Sequence, residues 1–191
     1  MRIKYLMTAA IAATAVVLAG CSAPSEAPST APAASRAPAT LPPPVSTAPA
    51  VAPGSVEIAG DVATPSTLTA QAIAALPQRT VSVSFASGTG QQQKSETGVL
   101  LSDLLPPTAL KTTTAKNDLL NFAVLAVGAD GYTAAVAYGE ISPDFGNRGI
   151  MLATTEDGTP LARPRLVVPG DVKGGRYVSD LVTLRVVRIA S

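Results

Sequence analysis

The feature that most constrains this chain is a long segment, residues 22–54, that cannot form a hydrophobic core. It is built mainly from Pro, Ala, Ser and Thr and contains no aromatic residue. Its three larger aliphatic side chains bury too little apolar surface to offset the conformational entropy lost on folding. The run Pro42-Pro43-Pro44 favours extended polyproline geometry, at about 3.1 Å per residue. We therefore predict a semi-rigid tether over residues 21–54, on the order of 100 Å long. A proline-rich partner-binding motif is the alternative.

The first 20 residues have the pattern of a targeting signal rather than of a folded element. Arg2 and Lys4 precede an apolar run rich in Ala. The following Leu18-Ala19-Gly20-Cys21 resembles the lipobox of bacterial lipoproteins. That resemblance implies cleavage before Cys21, diacylglycerol on its sulfur and an acyl chain such as palmitate on its amino group. The alternatives are a plain secretory signal and a transmembrane helix, although the run is shorter than the roughly 20 residues that span a bilayer.

The lipobox resemblance also implies a location. Ser22 stands where the familiar inner-membrane retention signal has Asp. We expect a lipid-anchored protein of the cell envelope, held at the outer membrane and facing the periplasm if the cell is Gram-negative. The membrane, reached through the lipid anchor, is then one partner.

Residues 55–191 have the size and composition of one folded domain. Only Arg2, Lys4 and Arg36 among the 14 basic residues and Glu26 among the 13 acidic residues precede it, which leaves 11 basic against 12 acidic side chains. A nearly neutral domain has no basic surface for nucleic acid. The chain has no His and a single Cys, which excludes Ser-His-Asp and Cys-His nucleophiles, His-ligated metals and an internal disulfide. We expect no metal site and no catalytic residue of these kinds.

Short alternating segments predict a mainly β, α+β domain with mixed sheets and short helices. Predicted strands follow one another along the chain: 80–85, 119–127, 132–138, 150–154, 165–168 and 178–189. Two short helices are predicted, at 68–76 with Thr67 or Thr69 as the N-cap and at 100–105. Residues 88–94 are polar and contain glycine, which predicts a loop.

Several motifs occur in the order found in the molybdopterin-binding domain of the sulfite oxidase family, which this domain resembles. They are Val56–Val62, similar to the family's first strand, with Pro65 and Leu68, then Val81–Phe85, Thr97–Leu105, Asp130-Gly131-Tyr132, Leu152-Ala153, Asp157–Leu161, Arg165–Gly170 and Gly174–Val178. The resemblance covers nearly all of the domain and implies the sulfite oxidase-type fold. It also implies a cofactor pocket at the end of the Val81–Phe85 strand.

Two departures from the family pattern bear on function. Catalytic members carry a molybdenum-ligating Cys near the position of Ser87, and a hydroxyl is a far poorer ligand than a thiolate for such metals. The Lys-Trp pair that helps to hold the family's cofactor is replaced by Ser179-Asp180. We therefore expect no cofactor, with molybdopterin suggested by resemblance only.

Candidate ligand-binding residues remain in the loop that contains Lys173, Gly174, Gly175 and Arg176. Its glycines would bring backbone N–H groups to a ligand, and its cations would pair with a phosphate or carboxylate. A solvated turn is the alternative. Asp130 and Tyr132 are candidates for the rim of the same pocket, or a tight turn followed by a packed Tyr; Ser87 completes the set. Asp144 and Arg148 are predicted to form a surface ion pair.

Three functions fit these observations. The first is a non-catalytic module that binds a small anionic ligand or an envelope protein. The second is a molybdopterin-dependent oxidoreductase that holds its metal by the pterin alone. The third is a structural envelope lipoprotein with a vestigial pocket. The missing thiol argues against the second, and the glycine-rich basic loop favours the first over the third. The sequence thus favours a protein that is not an enzyme.

Overall fold

The computed structural model describes residues 53–190, and strands dominate that part of the chain. The strands are β1 (Val56–Gly60), β2 (Ser66–Leu68), β3 (Arg79–Ser87), β4 (Gly90–Leu100), β5 (Phe122–Gly128), β6 (Thr133–Ala137), β7 (Met151–Glu156), β8 (Thr159–Val167) and β9 (Leu181–Arg188). The α-helices are α1 (Ala70–Ala74), α2 (Leu101–Leu104) and α3 (Tyr138–Ile141), and 3-10 helices span Pro107–Ala109, Asp118–Asn121 and Gly174–Arg176. The predicted class, α+β and mainly β, is confirmed.

The strands form two sheets. The five-stranded sheet has the order β2-β1-β9-β5-β6, in which β1 and β9 are parallel and all other neighbours are antiparallel. The four-stranded sheet has the order β3-β4-β7-β8 and is antiparallel throughout. Both contribute to the main core, where Val124 and Leu184 of the first sheet and Leu152 and Leu166 of the second are fully buried. One face of the four-stranded sheet therefore packs against the main core.

The opposite face of the four-stranded sheet carries a smaller apolar cluster. Because successive residues of a strand point to opposite faces, Met151 lies on the face away from Leu152. The cluster consists of Val83, Phe85, Met151, Ala153 and Val167, with Tyr177 packed against it. The edge of this cluster, where β3 ends, is the place at which the candidate site forms.

Local signals account for the helices. Thr69 caps α1, because its Oγ1 accepts a hydrogen bond of 3.2 Å from the backbone N–H of Ala72. The predicted helices at 68–76 and 100–105 are both present, though shorter, as α1 and α2. Glu140 of α3 accepts a hydrogen bond of 3.1 Å from the N–H of Ala137, and this cap ends the predicted strand at Ala137 instead of Tyr138.

The loop prediction for residues 88–94 is wrong. Only Gly88 and Thr89 separate β3 from β4, and the three glutamines 91–93 pair with Ala86, Phe85 and Ser84 of β3. A hairpin strand that is largely solvent-exposed tolerates polar side chains, so polarity did not indicate a loop here. The hairpin brings Gln92 to the face of the sheet on which Phe85 lies.

The strand predicted from residue 119 begins later, at Phe122. Asp118 starts a 3-10 helix because its carboxylate accepts hydrogen bonds from the N–H of Thr113 and the side chain of Asn121, at 2.6 and 3.2 Å. The same carboxylate pairs with Arg188 at the end of β9, at 2.6 Å. These contacts lower the pKa of Asp118, the hydrogen bond from Arg188 having the largest effect.

The predicted signal peptide, the lipidated Cys21 and the tether up to residue 52 lie outside the described residues. Within 53–190, no helix combines the length and the apolar character needed to cross a bilayer.

Candidate functional site

A pocket of about 700 Å³ opens where β3 ends, on the face of the four-stranded sheet away from the main core. Three parts of the chain line it. The β3–β4 hairpin contributes Phe85, Ala86, Ser87, Gly88, Thr89 and Gln92, the sheet contributes Lys94, Glu156 and Arg165, and the loop before β9 contributes Lys173, Gly174, Gly175, Tyr177 and Ser179. The volume is in the usual range for a small-molecule site, roughly 300–1,000 Å³.

The loop before β9 is held against the end of β3 by backbone pairing. The N–H of Ala86 donates to the carbonyl of Val172 at 2.8 Å, and Ala86 and Lys173 form a parallel bridge. Ser87 follows Ala86 directly, and both Ser87 and Lys173 line the pocket. Two candidate regions that are far apart in sequence thus share one site.

Gly174 is required by the way the loop packs. A Cβ atom at this position would lie 2.8 Å from Cδ2 of Phe85, inside any normal contact distance. Phe85 in turn packs on Tyr177, with ring centroids 4.2 Å apart and planes tilted by 32°. No side chain larger than hydrogen fits between the loop and this aromatic pair, so the pocket wall depends on a glycine here.

The hydroxyl of Ser87 serves the hairpin turn. It accepts a hydrogen bond of 3.2 Å from the N–H of Thr89 and donates to the carbonyl of Gly90 at 3.1 Å. It also lies 3.0 Å from the hydroxyl of Thr89. Ser87 therefore lines the pocket and stabilises the hairpin turn. Among the described residues, no lysine forms a hydrogen bond with its hydroxyl that would let it act as a general base.

Lys173 and Gly175 are exposed at the pocket wall. Within residues 53–190, Lys173 forms no ion pair, in contrast to the other two basic residues that line the pocket, Lys94 and Arg165. An unpaired ammonium beside exposed glycine backbone is a suitable partner for an anionic group.

Arg176 turns away from the pocket. Its guanidinium forms two hydrogen bonds with Asp171, at 2.6 and 2.8 Å, and two with Glu140 of α3, at 3.1 and 3.3 Å. The hydrogen bonds from Arg176 hold the pKa of Asp171 below its usual range. Arg176 thus fixes the loop to α3 instead of lining the cavity.

The predicted Asp144–Arg148 ion pair is wrong. Arg148 pairs with Glu140 at 3.2 Å and approaches Asp171 at 3.9 Å, which joins it to the same network as Arg176. Glu140 thus pairs with both arginines, at 3.2 Å from Arg148 and 3.1 Å from Arg176.

Asp130 and Tyr132 support the loop from outside the cavity. Asp130 accepts a hydrogen bond of 2.9 Å from the N–H of Tyr132, which closes the turn before β6. The phenol of Tyr132 donates to the carbonyl of Gly175, although its side chain remains about half exposed. The structure therefore brings Ser87, Lys173, Gly174 and Gly175 together at the cavity, and it places Asp130, Tyr132 and Arg176 behind its wall.

Sequence reasoning missed a charged cluster on the sheet, which we call the paired wall: Lys94, Glu96, Glu156, Asp157 and Arg165. Lys94 Nζ lies 3.0 Å from Oδ2 of Asp157 and 3.4 Å from Oε1 of Glu156. Arg165 pairs with Glu156 and, at 3.4 Å, with Glu96. The spacing of Lys94 and Glu96 predicts a common face only once β4 is known to begin at Gly90.

Glu96 is the most unusual member of the paired wall because its side chain is fully buried. Burial raises the pKa of its carboxyl, although Arg165 opposes the shift. Its Oε2 has no hydrogen-bond partner among the described residues, and neither does the buried hydroxyl of Tyr177. Burial, with smaller effects from Asp171 and Glu96, raises the pKa of Tyr177 to about 12. The aromatic pair thus lines the pocket, while Glu96 lies outside the lining and contacts it through Arg165.

No group of three or more His, Cys, Asp and Glu side chains within residues 53–190 is arranged to hold a metal ion. The polar side chains that line the cavity are hydroxyls, one glutamine amide, one carboxylate and three cations. These groups suit hydrogen bonding and ion pairing with an organic ligand.

One solved structure gives a clear comparison for the fold. The domain is similar to the sulfane dehydrogenase SoxCD from Paracoccus pantotrophus, with a TM-score of 0.57 and 20% sequence identity. The match covers 69% of this chain and 37% of that chain. At this identity the likeness shows a shared fold, and it supports the distant sulfite oxidase-like resemblance that the motif order indicates.

The other two comparisons found nothing: no protein-family model and no curated protein sequence matches the chain. The domain spans little more than a third of the similar SoxCD chain.

Proposed function

We propose that this protein is a non-catalytic binding module, a sulfite oxidase-like domain that takes a small anionic ligand in the pocket between β3 and the loop before β9. The observation that carries the proposal is the pairing of Ala86 with Lys173, which sets an unpaired ammonium at the wall of a cavity of about 700 Å³. The anion would meet Lys173 and the exposed Gly175. An envelope protein that presents an anionic group would meet the same residues.

The chemistry of the cavity does not fit a molybdenum centre of the kind held by a protein thiolate. No cysteine follows Cys21 in the chain, and Ser87 stands near the expected ligand position with its hydroxyl used in the hairpin turn. Two of the three cations that line the cavity are neutralised by neighbouring carboxylates. Ser179 lines the cavity and Asp180 follows it, where the family has a cationic contact to its cofactor. Molybdopterin chemistry is therefore not part of the proposed function.

The likeness to a sulfane dehydrogenase favours a second candidate function, an oxidoreductase in which the pterin alone would hold the metal. That dehydrogenase activity belongs to the SoxCD protein, of which this domain matches 37%. A structural lipoprotein with a vestigial pocket is the third candidate. An unpaired lysine beside a cavity of ligand size supports binding over a purely structural role.

We further propose that the module is tethered outside the cytoplasmic membrane through lipidated Cys21 and the segment of residues 21–54. Support comes from the lipobox-like Leu18-Ala19-Gly20-Cys21 and from the composition of the tether. In this arrangement the pocket would meet solutes and proteins of the envelope.

Titration with inorganic phosphate tests the binding function. We expect the amide resonances of residues 87–89 and 173–175 in the purified full-length protein to shift in a saturable way. Lys173→Gln should weaken phosphate binding at least tenfold, which corresponds to the loss of one charge-assisted contact. The matched control is Lys116→Gln, an exposed lysine remote from the cavity lining. Absence of saturable shifts, or equal affinity in the wild type and Lys173→Gln, contradicts the proposal.

A further inference from the structure

The two sides of the cavity differ in available charge. On the paired wall, Lys94 contacts both Glu156 and Asp157, and Arg165 contacts both Glu156 and Glu96. Two cations there face three carboxyl groups. An anionic group that approached this wall would have to compete with carboxylates already in place, so the wall has no positive charge to offer.

The burial of Glu96 does not change that conclusion. Its carboxyl is fully buried and one of its oxygens lacks a partner, which disfavours the ionised form. With Glu96 neutral, the paired wall has two cations and two carboxylates and no net charge. With Glu96 ionised, the wall is net negative. In neither state does it attract an anion.

What the paired wall does offer is a set of donors and acceptors at fixed positions. A guanidinium and an ammonium donate, and a carboxylate accepts, so a hydroxyl group satisfies both of its hydrogen-bonding roles there. Gln92 adds an amide oxygen that accepts, since its nitrogen already donates to the Thr89 hydroxyl and the Gly90 carbonyl, and Tyr177 adds an aromatic surface. Vicinal hydroxyls on a compact ring or chain match this combination of groups.

The rest of the cavity lining includes the unpaired Lys173, Gly174, Gly175 and the hydroxyls of Thr89 and Ser179. One anionic group suffices to neutralise Lys173. Inorganic phosphate alone would leave most of a cavity of about 700 Å³ unfilled.

We propose that the ligand carries one terminal anionic group and an uncharged, hydroxyl-rich body, the chemistry of a sugar or polyol phosphate monoester. The phosphate pairs with Lys173 and the hydroxyls lie against Lys94, Glu156 and Arg165. This inference rests on the proposed binding function and specifies its ligand class. It predicts no gain in affinity from a second anionic group at the far end.

Calorimetric titration of the full-length protein with matched probes tests the ligand class. The probes are glucose 6-phosphate, glucose 1,6-bisphosphate, glucose and inorganic phosphate. We expect glucose 6-phosphate to bind at least tenfold more tightly than inorganic phosphate or glucose. We expect the bisphosphate to bind no more tightly than the monophosphate. A bisphosphate preference of tenfold or more, or equal binding of phosphate and glucose 6-phosphate, overturns the inference.

Two variants connect the result to the named residues. Lys173→Gln should weaken glucose 6-phosphate at least tenfold, while the control Lys116→Gln leaves it unchanged. Glu156→Gln removes the carboxylate that Lys94 and Arg165 share, so the paired wall becomes one charge more positive and the affinity of the bisphosphate should rise relative to the monophosphate. An unchanged ratio in Glu156→Gln contradicts the role of the paired wall.

The two proposals fail in different ways. Saturable, Lys173-dependent binding of phosphate without any gain for glucose 6-phosphate overturns the ligand class and keeps the binding function. Absence of binding by every probe, inorganic phosphate included, overturns both.

Discussion

A Cβ atom on Gly174 would lie 2.8 Å from Cδ2 of Phe85. This contact fixes the distance between the loop that carries Lys173 and the strand that ends at Ser87. The shape of the cavity therefore depends on two residues that contribute no charge to it.

Gly174→Ala is expected to destabilise the protein by about 1–3 kcal/mol, the usual cost of forcing an extra group into a packed site. Phe85 has little freedom to yield because Tyr177 packs on its ring. Urea denaturation of the purified protein measures the change. Gly175→Ala is the matched control, since a Cβ there meets nothing within 4 Å, and it should alter stability by less than about 0.5 kcal/mol. Equal stability of the two variants would show that the loop does not pack on Phe85 as described.

Glu96→Gln should flatten the pH dependence of stability. The folded state raises the pKa of Glu96 above the ordinary value of 4.5, so the folded state binds more protons than the unfolded chain in the window above that value. The free energy of unfolding of the wild type should therefore fall as the pH rises from 4.5 through the folded-state pKa. Unfolding curves measured between pH 4.5 and 8 test this. If Glu96→Gln shows the same decrease in the free energy of unfolding with pH as the wild type, the effect belongs to another group.

Arg176→Gln should loosen the loop without removing a pocket-lining group. It deletes the hydrogen bonds to Asp171 and Glu140 and should cost about 1–2 kcal/mol, since the groups are partly exposed. The folded state lowers the pKa of Asp171, so this contribution is present above the ordinary value of 3.8 and is lost as the pH falls through the folded-state value. Thermal unfolding at pH 7 and at pH 3 should show the wild-type advantage shrinking in acid. Arg185→Gln, an exposed arginine on β9, serves as the control.

Cys21→Ala should release the protein from the membrane fraction, because the lipobox resemblance predicts lipid attachment at this residue. Fractionation and metabolic labelling with palmitate provide the measurements. Normal processing and wild-type membrane association of the variant would refute lipid anchoring at Cys21.

Much of the fold could be predicted because its strands alternate apolar and polar residues over short distances. Val81, Val83 and Phe85 are an example, and the order of short motifs indicated the fold that the comparison supports. The polar start of β4 could not be predicted, because residues 91–93 are glutamines that pair with β3 in a solvent-exposed hairpin. The composition of this short segment indicates neither that it pairs with β3 nor that it is exposed to solvent.

The candidate site was predicted only where its residues have a signature in the local sequence. The loop glycines and Lys173 have a local signature, and they do line the cavity with Ser87. The paired wall has none, because Arg165 and Glu96 lie 69 positions apart and meet only through the register of β4, β7 and β8. The role of Arg176 also depends on a distant residue, Glu140 of α3.

The measurement that tests the central claim most directly is the molybdenum content of the full-length protein purified from a host that makes molybdopterin. By resemblance to the sulfite oxidase family, Ser87 stands near the position of a thiolate ligand and Ser179-Asp180 replaces a pair that helps to hold the cofactor. Each lost charge-assisted contact lowers affinity about tenfold or more. The account predicts well under one molybdenum per chain and no oxidation of sulfite. Near-stoichiometric molybdenum, with an absorbance spectrum that bleaches on reduction, would contradict it and identify an oxidoreductase.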